Sequence, residues 1–356
     1  MSEKRRGIHV LVVDDSAVVR VTMQAALSRD SGISVAVASD PIIALGVIQV
    51  SRPDVIVLDL EMPRMDGLTF LARLMAEDPI PVVVCSNLVG ARSDVAVRAL
   101  ALGAVDVLRK PQAGSREQLE QSALQIIDTV RGAALARLAK RSARAATAAA
   151  QVSPQPRARP GALPPAQRTT DRVVAIGAST GGPQAITQVL TALPDDAPAL
   201  AIALHMPAGF TATFARRLDE LCAFEVKEAE EGDPLLRGRA LVAPGNRHML
   251  VVRSGPQLVV RLTDSEPVSR HRPSVDVLFH SVATSVGPNA TGVLLTGMGA
   301  DGADGLAAMH AAGAFTIAQD EASCVVFGMP KEAIARGAAD RVVSLGQIPG
   351  VILRGA

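Results

Sequence analysis

The chain has 356 residues, of which 48% are hydrophobic, and its 36 basic and 35 acidic side chains leave a net charge of +1. This length is typical of two or three domains, each large enough to bury a hydrophobic core. Three widely spaced cysteines predict a reduced, cytoplasmic protein without a disulfide framework. The amino terminus lacks the pattern of a signal peptide, no apolar run is long enough for membrane insertion, and the absence of Trp and Tyr argues against a base-stacking nucleic-acid surface.

Five strand-like runs alternate with stretches of helical period in the first 128 residues. The runs are rich in Val, Ile and Leu and are bounded by turn residues, as in the buried strands of parallel sheets. They lie at 8–13, 33–37, 54–60, 81–85 and 105–108, with helical stretches such as 16–29 and 67–77 between them. The alternation predicts a doubly wound, five-stranded parallel, flavodoxin-like α/β domain over residues 1–128.

A segment of different composition follows, and we predict a linker over 129–170. Residues 131–170 contain seven Arg, one Lys, thirteen Ala and five Pro but no acidic residue. The Ala-rich first part can extend a helix, whereas the Pro-rich second part favours an extended spacer. A basic arm for an acidic partner is the alternative interpretation, although the segment lacks the interleaved aromatic residues of a nucleic-acid surface.

Strand-like runs resume after the linker and predict a second doubly wound α/β domain over 171–356. Four buried-strand patterns lie at 172–178, 199–204, 290–295 and 314–318. Residues 248–262 (HMLVVRSGPQLVVRL) have the pattern of a β-hairpin whose turn is Ser-Gly-Pro.

Charged and polar side chains follow four strands of the first domain. Asp14 and Asp15 end the first strand, Asp59 the third, Ser86 the fourth and Lys110 the fifth. The carboxyl ends of parallel strands form the binding edge of such a sheet, and three carboxylates meeting there need a cation. Mg²⁺ commonly binds carboxylates together with phosphate, so Asp59 can be a nucleophile towards a phosphoryl donor that Ser86 and Lys110 contact. A helix cap is the structural alternative for any single aspartate.

Four motifs stand in order at these strand ends: VVDDS (12–16), VLDLEMPRMDG (57–67), VCSNL (84–88) and RKP (109–111). Together they resemble the receiver domain of two-component response regulators over about residues 7–125. The resemblance implies that Asp59 accepts phosphate from a histidine kinase. It also implies that Asp14, Asp15 and Asp59 hold Mg²⁺ with the backbone carbonyl of Glu61. One position departs, because receivers usually carry an aromatic residue where this chain has Val107. Phosphorylation must therefore be reported by another surface, or less sharply.

The first strand of the second domain runs into a glycine-rich turn. Residues 177–181, Gly-Ala-Ser-Thr-Gly, match the G-x-S-x-G pattern that places a serine, here Ser179, on a tight strand-to-helix turn. A turn that binds phosphate or only packs is the structural alternative. A dinucleotide site is disfavoured because the next strand ends in Leu204-His205 where such a site needs an acid.

A serine nucleophile needs a base and an acid that orients the base. His205 directly follows a predicted buried strand and is therefore expected at the same sheet edge as Ser179. Asp301 lies in a glycine-rich turn after another strand, where backbone N–H groups can also face an oxyanion. His248 and His271 compete with His205, but each has an Arg beside it, which favours a substrate or phosphate contact. The order Ser–His–Asp differs from the order in the α/β-hydrolases.

Six longer strings extend this pattern: GASTGGPQAI, HMPAGFT, APGNRHM, RHRPSVDVLFHSVA, LLTGMGADGA and AQDEASCVVFGMP. They resemble the catalytic domain of the chemotaxis protein-glutamate methylesterase, over about residues 171–345. The resemblance implies Ser179 as nucleophile, His205 as base and Asp301 as orienting acid. It places the oxyanion-hole donors near the backbone amides of His205 and Met298, and it implies no cofactor in this domain.

The two resemblances together imply a phosphorylation-regulated hydrolase. Its substrates would be glutamate γ-methyl esters on the cytoplasmic domains of methyl-accepting chemoreceptors, and the same acyl transfer would deamidate receptor glutamines. A receiver-controlled scaffold or binding module without turnover is the alternative function. A DNA-binding response regulator is disfavoured because its output domain should be small, with a recognition helix or wing, whereas the second domain here is a large α/β unit of near-neutral or acidic charge.

Overall fold

The computed structural model describes residues 7–62, 65–87, 91–111, 116–137 and 172–354. The chain divides into two compact units, Met1–Val152 and Ser153–Ala356. Residues 138–170 of the predicted linker lie outside the described residues, as do Pro63, Arg64 and Leu88 of the receiver-like motifs. In the described ranges no helix is both long and apolar enough to cross a bilayer.

The first unit alternates strands and helices. Its strands are β1 (Ile8–Val13), β2 (Ile33–Ala38), β3 (Val55–Asp59), β4 (Val82–Ser86) and β5 (Asp106–Arg109). Its helices are α1 (Ala17–Leu27), α2 (Pro41–Val50), α3 (Gly67–Glu77), α4 (Ala91–Leu102) and α5 (Arg116–Ala134). Asp40 and Asp66 begin α2 and α3 as side-chain caps that accept hydrogen bonds from first-turn amides.

The described strands of this unit pair in parallel in the order β2-β1-β3-β4-β5. Every residue of β3 and β4 is buried, as expected when crossover helices cover both faces of a parallel sheet. Strand addition reverses between β1 and β3, and open α/β sheets bind ligands at such a switch point. The predicted doubly wound, flavodoxin-like sheet is confirmed.

The second unit contains a larger sheet and a separate hairpin. Its strands are β6 (Val173–Ala178), β7 (Ala199–Leu204), β8 (Glu225–Glu228), β9 (Arg239–Val242), β10 (His248–Ser254), β11 (Gln257–Thr263), β12 (Ala290–Leu294), β13 (Phe315–Gln319) and β14 (Arg341–Val343). Its helices are α6 (Gly182–Thr191), α7 (Phe210–Leu221), α8 (Val275–Ser285), α9 (Ala303–Ala311), α10 (Met329–Ala335) and α11 (Ile348–Arg354), with a 3₁₀ turn at Gly287–Asn289.

The described strands of the larger sheet pair in parallel in the order β14-β13-β12-β6-β7-β9-β8. The central strands β6 and β7 are buried along their whole length. The chain first adds strands on the β7 side of β6 and then, from β12 onward, on the other side. The switch point of this sheet therefore lies between β6 and β12.

The hairpin of β10 and β11 pairs antiparallel and packs its inner side chains against α8. Met249, Val251 and Val260 of the hairpin join Leu278 and Phe279 of α8 in one hydrophobic cluster. The predicted hairpin and the predicted doubly wound architecture of this unit are confirmed. The sequence prediction omitted β8, β9 and β14.

Candidate functional site

Ser179 lies at the switch point of the larger sheet, directly after β6 and before α6. Its backbone N–H donates to the Thr296 carbonyl oxygen at 3.0 Å, and its own carbonyl oxygen accepts from the Gly182 amide at 2.6 Å. The residue is 8% exposed. The turn therefore holds the serine on both sides, with the segment after β12 and with the first turn of α6.

The structure explains why both glycines of the G-x-S-x-G pattern are needed. A Cβ on Gly177 would lie 2.1 Å from Cγ1 of Val275, so a glycine is needed where α8 approaches β6. Gly181 has a φ of +76°, and a Cβ there would lie 2.5 Å from Cβ of Val325. Ser179 itself is not among the positive-φ residues, so the left-handed conformation of this turn falls on Gly181.

His205 lies between Ser179 and Asp301 and contacts both side chains. Its Nδ1 is 3.1 Å from Oγ of Ser179, and its Nε2 is 2.7 Å from Oδ2 of Asp301. An ionised carboxylate only accepts hydrogen bonds, so the neutral imidazole carries its proton on Nε2. The lone pair of Nδ1 then faces the serine hydroxyl, as a general base requires.

Asp301 is 2% exposed and is held at the N-terminus of α8. Its Oδ1 accepts from Oγ of Ser274 at 2.7 Å and from the Asp276 amide at 3.1 Å, while its Oδ2 accepts from the Val275 amide at 2.7 Å. Burial would raise the pKa of Asp301, but the hydrogen bond and charge of His205, with the bonds from Val275 and Ser274, outweigh it and hold this pKa below the usual range. The carboxylate is therefore ionised when it faces His205.

The two competing histidines occupy different places around this chain of hydrogen bonds. His248 is 0% exposed, and its Nδ1 accepts from the Ser274 amide at 3.1 Å. Its Nε2 lies 3.1 Å from the Glu266 carbonyl oxygen, which makes Nε2 the protonated nitrogen. The prediction that His248 contacts a substrate or phosphate is therefore wrong. His248 instead accepts a hydrogen bond from Ser274, the residue that caps α8. His271 instead stacks on the His205 ring, with centroids 3.6 Å apart.

The two backbone amides predicted as oxyanion donors differ in their bonding. The His205 amide donates to the Ala178 carbonyl oxygen at 3.2 Å, the long end of the usual range. In the described part of the chain the Met298 amide has no hydrogen-bond partner. Gly297 and Gly299 flank it, and Gly299 has a φ of +87°. The Met298 N–H thus lies unengaged beside Gly297, where a Cβ would be only 2.7 Å from Cβ of Ser179.

A buried polar network that the sequence did not reveal fixes the same turn. Oγ1 of Thr296 donates to the Thr180 carbonyl oxygen at 3.0 Å and accepts from the Val326 amide at 2.9 Å. Its amide donates to Oε1 of Gln319 at 2.8 Å. Thr296 and Gln319 are 0% exposed, and a threonine or glutamine at a strand end gives no pattern that separates such a role from packing.

The first unit places Asp14, Asp15 and Asp59 at its own switch point. One carboxylate oxygen from each lies within 4.8 Å of the others. Nζ of Lys110 lies 2.7 Å from Asp59 and 2.8 Å from Asp14. Burial and, less strongly, the charge of Asp14 raise the pKa of Asp59 despite the lowering effect of Lys110. The cluster has more negative charge than one lysine balances, which is the setting that suits a divalent cation.

The remaining predicted receiver residues lie on or after β3, β4 and β5. The Glu61 amide donates to Oδ1 of Asp59 at 3.2 Å, so the segment after β3 folds back on the carboxylate. Ser86 ends β4 and is 4% exposed, and its hydroxyl donates to the Asn87 carbonyl oxygen at 3.3 Å. Val107 lies inside β5 and is 2% exposed. The structure thus brings Asp14, Asp15, Asp59 and Lys110 together, while Ser86 ends the strand next to β3 with its hydroxyl on the Asn87 carbonyl.

Comparisons with known proteins match both units of the chain. Residues 174–352 match the family model described as CheB methylesterase, and residues 10–123 match the one described as response regulator receiver domain. The chain belongs to the CheB methylesterase family and carries a response regulator receiver domain before the esterase domain. Both resemblances identified from the sequence motifs are confirmed.

Individual relatives extend over nearly the whole chain. "Protein-glutamate methylesterase/protein-glutamine glutaminase 1" of Anaeromyxobacter dehalogenans is 56% identical over 97% of this chain and 98% of its own length. "Protein-glutamate methylesterase/protein-glutamine glutaminase 3" of Geobacter metallireducens is 52% identical over 98% of this chain and 99% of its own length. The crystal structure of the CheB methylesterase catalytic domain of Thermotoga maritima is 36% identical, with a TM-score of 0.51, over 52% of this chain and 99% of that chain.

Proposed function

We propose that this chain is a receiver-regulated esterase that hydrolyses glutamate γ-methyl esters on the cytoplasmic domains of chemoreceptors. The observation that carries the proposal is the hydrogen-bonded chain from Ser179 through His205 to Asp301 at the switch point of the second sheet. Family membership adds the substrate class, since relatives at 52–56% identity are named protein-glutamate methylesterase/protein-glutamine glutaminase. The chain's own geometry supports the roles that we propose for Ser179, His205 and Asp301.

Acylation begins when Oγ of Ser179 attacks the ester carbonyl carbon and Nδ1 of His205 takes the hydroxyl proton. Asp301, held ionised, faces the imidazolium and keeps its protonated Nε2 in place. The tetrahedral intermediate collapses as Nδ1 returns the proton to the methoxide oxygen, so methanol leaves and the glutamyl group stays on Ser179. Water then attacks this acyl-enzyme by the same proton relay, and the glutamate carboxylate is released.

The Met298 amide is the leading donor for the negative oxygen of the tetrahedral intermediate. It is unengaged in the described part of the chain, and its turn is fixed by the bonds of Thr296. The His205 amide would be the second donor, and it would share its proton with the Ala178 carbonyl. Removing one oxyanion donor of a serine hydrolase typically costs about 10²–10³-fold in rate.

Deamidation of receptor glutamines is the same acyl transfer with ammonia as the leaving group. Nδ1 of His205 would then return the proton to the amide nitrogen instead of to methoxide. Both halves of the relatives' names therefore follow from one set of residues.

The receiver would regulate this activity through phosphorylation of Asp59 by a histidine kinase. Asp14, Asp15 and Asp59, with the Glu61 carbonyl, would hold Mg²⁺, which would supply positive charge to the transferred phosphoryl oxygens. Lys110 already forms an ion pair with the Asp59 carboxylate, so it can pair with the phosphoryl group once that group is attached. Ser86 can rotate its hydroxyl to donate a hydrogen bond to the same group. A phosphoryl group carries about −1.5 to −2 of charge. Because the Asp59 carboxylate loses its own charge when it becomes an acyl phosphate, the net charge added at this sheet edge is about −0.5 to −1.

The proposal includes the organisation of the chain. The receiver domain would occupy residues 1–128, a linker 129–170 and the catalytic domain 171–356. Helix α5 continues to Ala134, so the first part of that linker is helical. The substrate's location and three free cysteines, Cys85, Cys222 and Cys324, support a cytoplasmic enzyme.

The test is methanol release from receptor membranes that carry labelled methyl esters. The wild-type chain and Ser179→Ala are compared, each with and without Mg²⁺ and a small-molecule phosphodonor. Release that requires Ser179 and increases with the donor is expected. Equal release from Ser179→Ala would overturn the nucleophile assignment. If the wild type releases nothing from any receptor and a fluorophosphonate fails to label Ser179, the chain is instead a scaffold without turnover.

A further inference from the structure

The ring of His271 stacks face to face on the ring of His205. The two centroids are 3.6 Å apart and the planes differ by 11°. Two neutral aromatic rings prefer an offset or edge-to-face arrangement over such a sandwich. A cation over an aromatic face is attracted by the ring quadrupole. The stack therefore suits a state in which one of the two imidazoles is charged.

His205 is the ring that becomes charged. Burial, the neighbouring His205 and the charge of Arg270 lower the pKa of His271 to about 3, although Asp301 acts in the opposite direction. His271 is therefore neutral at physiological pH. His205, in contrast, lies 2.7 Å from the ionised Asp301 and takes a proton from Ser179 in the proposed reaction.

A tight turn presents His271 to this position. Val268 and His271 exchange backbone hydrogen bonds of 3.1 and 2.9 Å. The two residues between them, Ser269 and Arg270, have φ values of +51° and +67°, as in a type I′ turn. Non-glycine residues adopt these angles at a cost, and such strain concentrates at functional sites. The ring nitrogens of His271 have no hydrogen-bond partner in the described part of the chain. The side chain of His271 therefore interacts with His205 through the face of its ring.

We propose that His271 is a positioning residue whose neutral ring fixes the plane of His205 and stabilises the imidazolium formed as Ser179 loses its proton. The inference rests on the proposed function. His205 serves Ser179 and Asp301 only in one ring orientation, because rotation of its plane breaks both contacts. The stack strengthens as charge develops, so it favours the transition state over the bound substrate and acts on kcat more than on KM.

The test compares His271→Ala and His271→Phe in the full chain, with His280→Ala, on the exposed face of α8, as the control. Fluorophosphonate labelling of Ser179 measures nucleophile activation without a receptor, and methanol release gives kcat and KM. The alanine variant should lower the labelling rate and kcat about 10-fold, with KM within about 2-fold. The phenylalanine variant should recover most of the rate, because it restores a neutral aromatic face without nitrogen atoms.

Three results would overturn the inference. The first is an alanine variant as fast as the wild type. The second is a phenylalanine variant that has the wild-type melting temperature but is as slow as alanine, because the ring nitrogens would then matter. The third is a loss confined to KM. Absence of wild-type labelling would overturn the proposed function itself, a result distinct from wild-type labelling that His271 does not affect.

Discussion

Asp301 keeps its charge because donors surround it, although it is almost completely buried. Three of its four hydrogen bonds come from the first residues of α8, and the fourth comes from His205. Charge-assisted bonds of this kind are among the stronger interactions in proteins, and a helix N-terminus favours an anion. The same three donors fix where the carboxylate points, and so they fix the imidazole that it orients.

Replacement of Asp301 by Asn should abolish most of the activity while the protein remains folded. The amide presents an N–H group that favours the wrong tautomer of His205, and an equivalent change in a serine protease costs about 10⁴-fold in kcat. Methanol release measures the effect. Asp304→Asn, at an exposed ion pair with Arg336, is the matched control and should keep the wild-type rate. Equal losses in both variants would contradict this role of Asp301.

Asp276 gives a prediction about stability and pH. Burial is the main cause that raises its pKa to about 6, and the neighbouring Asp301 carboxylate contributes, although a bond from the Gly305 amide opposes the shift. Because this pKa is higher in the folded state than in the unfolded state, the stability contribution is full below about pH 4 and is lost as pH rises through 6.

Asp276→Asn should therefore stabilise the protein at pH 7 by about 1–3 kcal/mol, since the side chain keeps an acceptor for Gly305 and loses the charge. Urea denaturation at pH 7 and pH 4 measures the difference between variant and wild type, which should disappear at pH 4. A difference that is the same at both pH values would show that Asp276 is not protonated on folding in this range.

At the scale of elements, the contact between β6 and α8 places the nucleophile next to the residues that hold the acid. β6 ends directly before Ser179, and α8 begins with the amides that bind Asp301. The two elements meet at Gly177, where only a hydrogen fits beside Val275. The first glycine of the sequence motif is therefore a packing residue for a helix almost a hundred positions away in the chain.

Gly177→Ala should destabilise the second unit by about 1–3 kcal/mol, the usual cost of overpacking a core. It should also slow the enzyme, because a displaced Val275 no longer aims its amide at Asp301. Gly350→Ala is the control, since a Cβ there meets only ordinary contacts within a helix and alanine is the better helix former. Thermal melts and methanol release of both variants measure this, and a neutral Gly177→Ala would contradict the packing argument.

Two of the three strands that the sequence missed, β8 and β14, differ in burial from those that it predicted; the third, β9, is buried but only four residues long. β6 and β7 are continuous apolar runs because both faces are covered, so they can be identified from composition alone. β8 reads Glu-Val-Lys-Glu, lies at one sheet edge and buries a single valine. β14 has three residues at the opposite edge. Their pairing partners are set by the assembled sheet, and no local pattern encodes them.

At the scale of the whole molecule, each unit carries its site at the switch point of its own parallel sheet. The residues proposed to react could be predicted because they follow predicted strands, and the end of a strand can be located from the local sequence. The residues that hold the catalytic side chains in place come from distant segments of the chain. His248 starts the hairpin, Ser274 caps α8, and Thr296 follows β12. Their roles depend on tertiary contacts, and so an arginine beside His248 suggested a ligand contact where the fold places a buried hydrogen-bond acceptor.

Asp59→Asn should remove the response to a phosphodonor and leave the basal esterase rate within about 2-fold, because Asp59 belongs to the receiver site alone. The amide keeps the shape of the side chain but cannot accept a phosphoryl group. Methanol release with and without phosphodonor measures the response, with Glu77→Gln on the exposed face of α3 as the control. Donor activation that persists in Asp59→Asn would contradict phosphorylation at this residue.

The account depends most on Ser179 being a nucleophile that His205 activates. The direct measurement is fluorophosphonate labelling of the full chain, followed by peptide mass spectrometry to locate the adduct. We predict one adduct, on Ser179, formed at a rate that falls by at least about 10³-fold in His205→Ala. An adduct on another residue, or labelling of Ser179 at the same rate without His205, would contradict it.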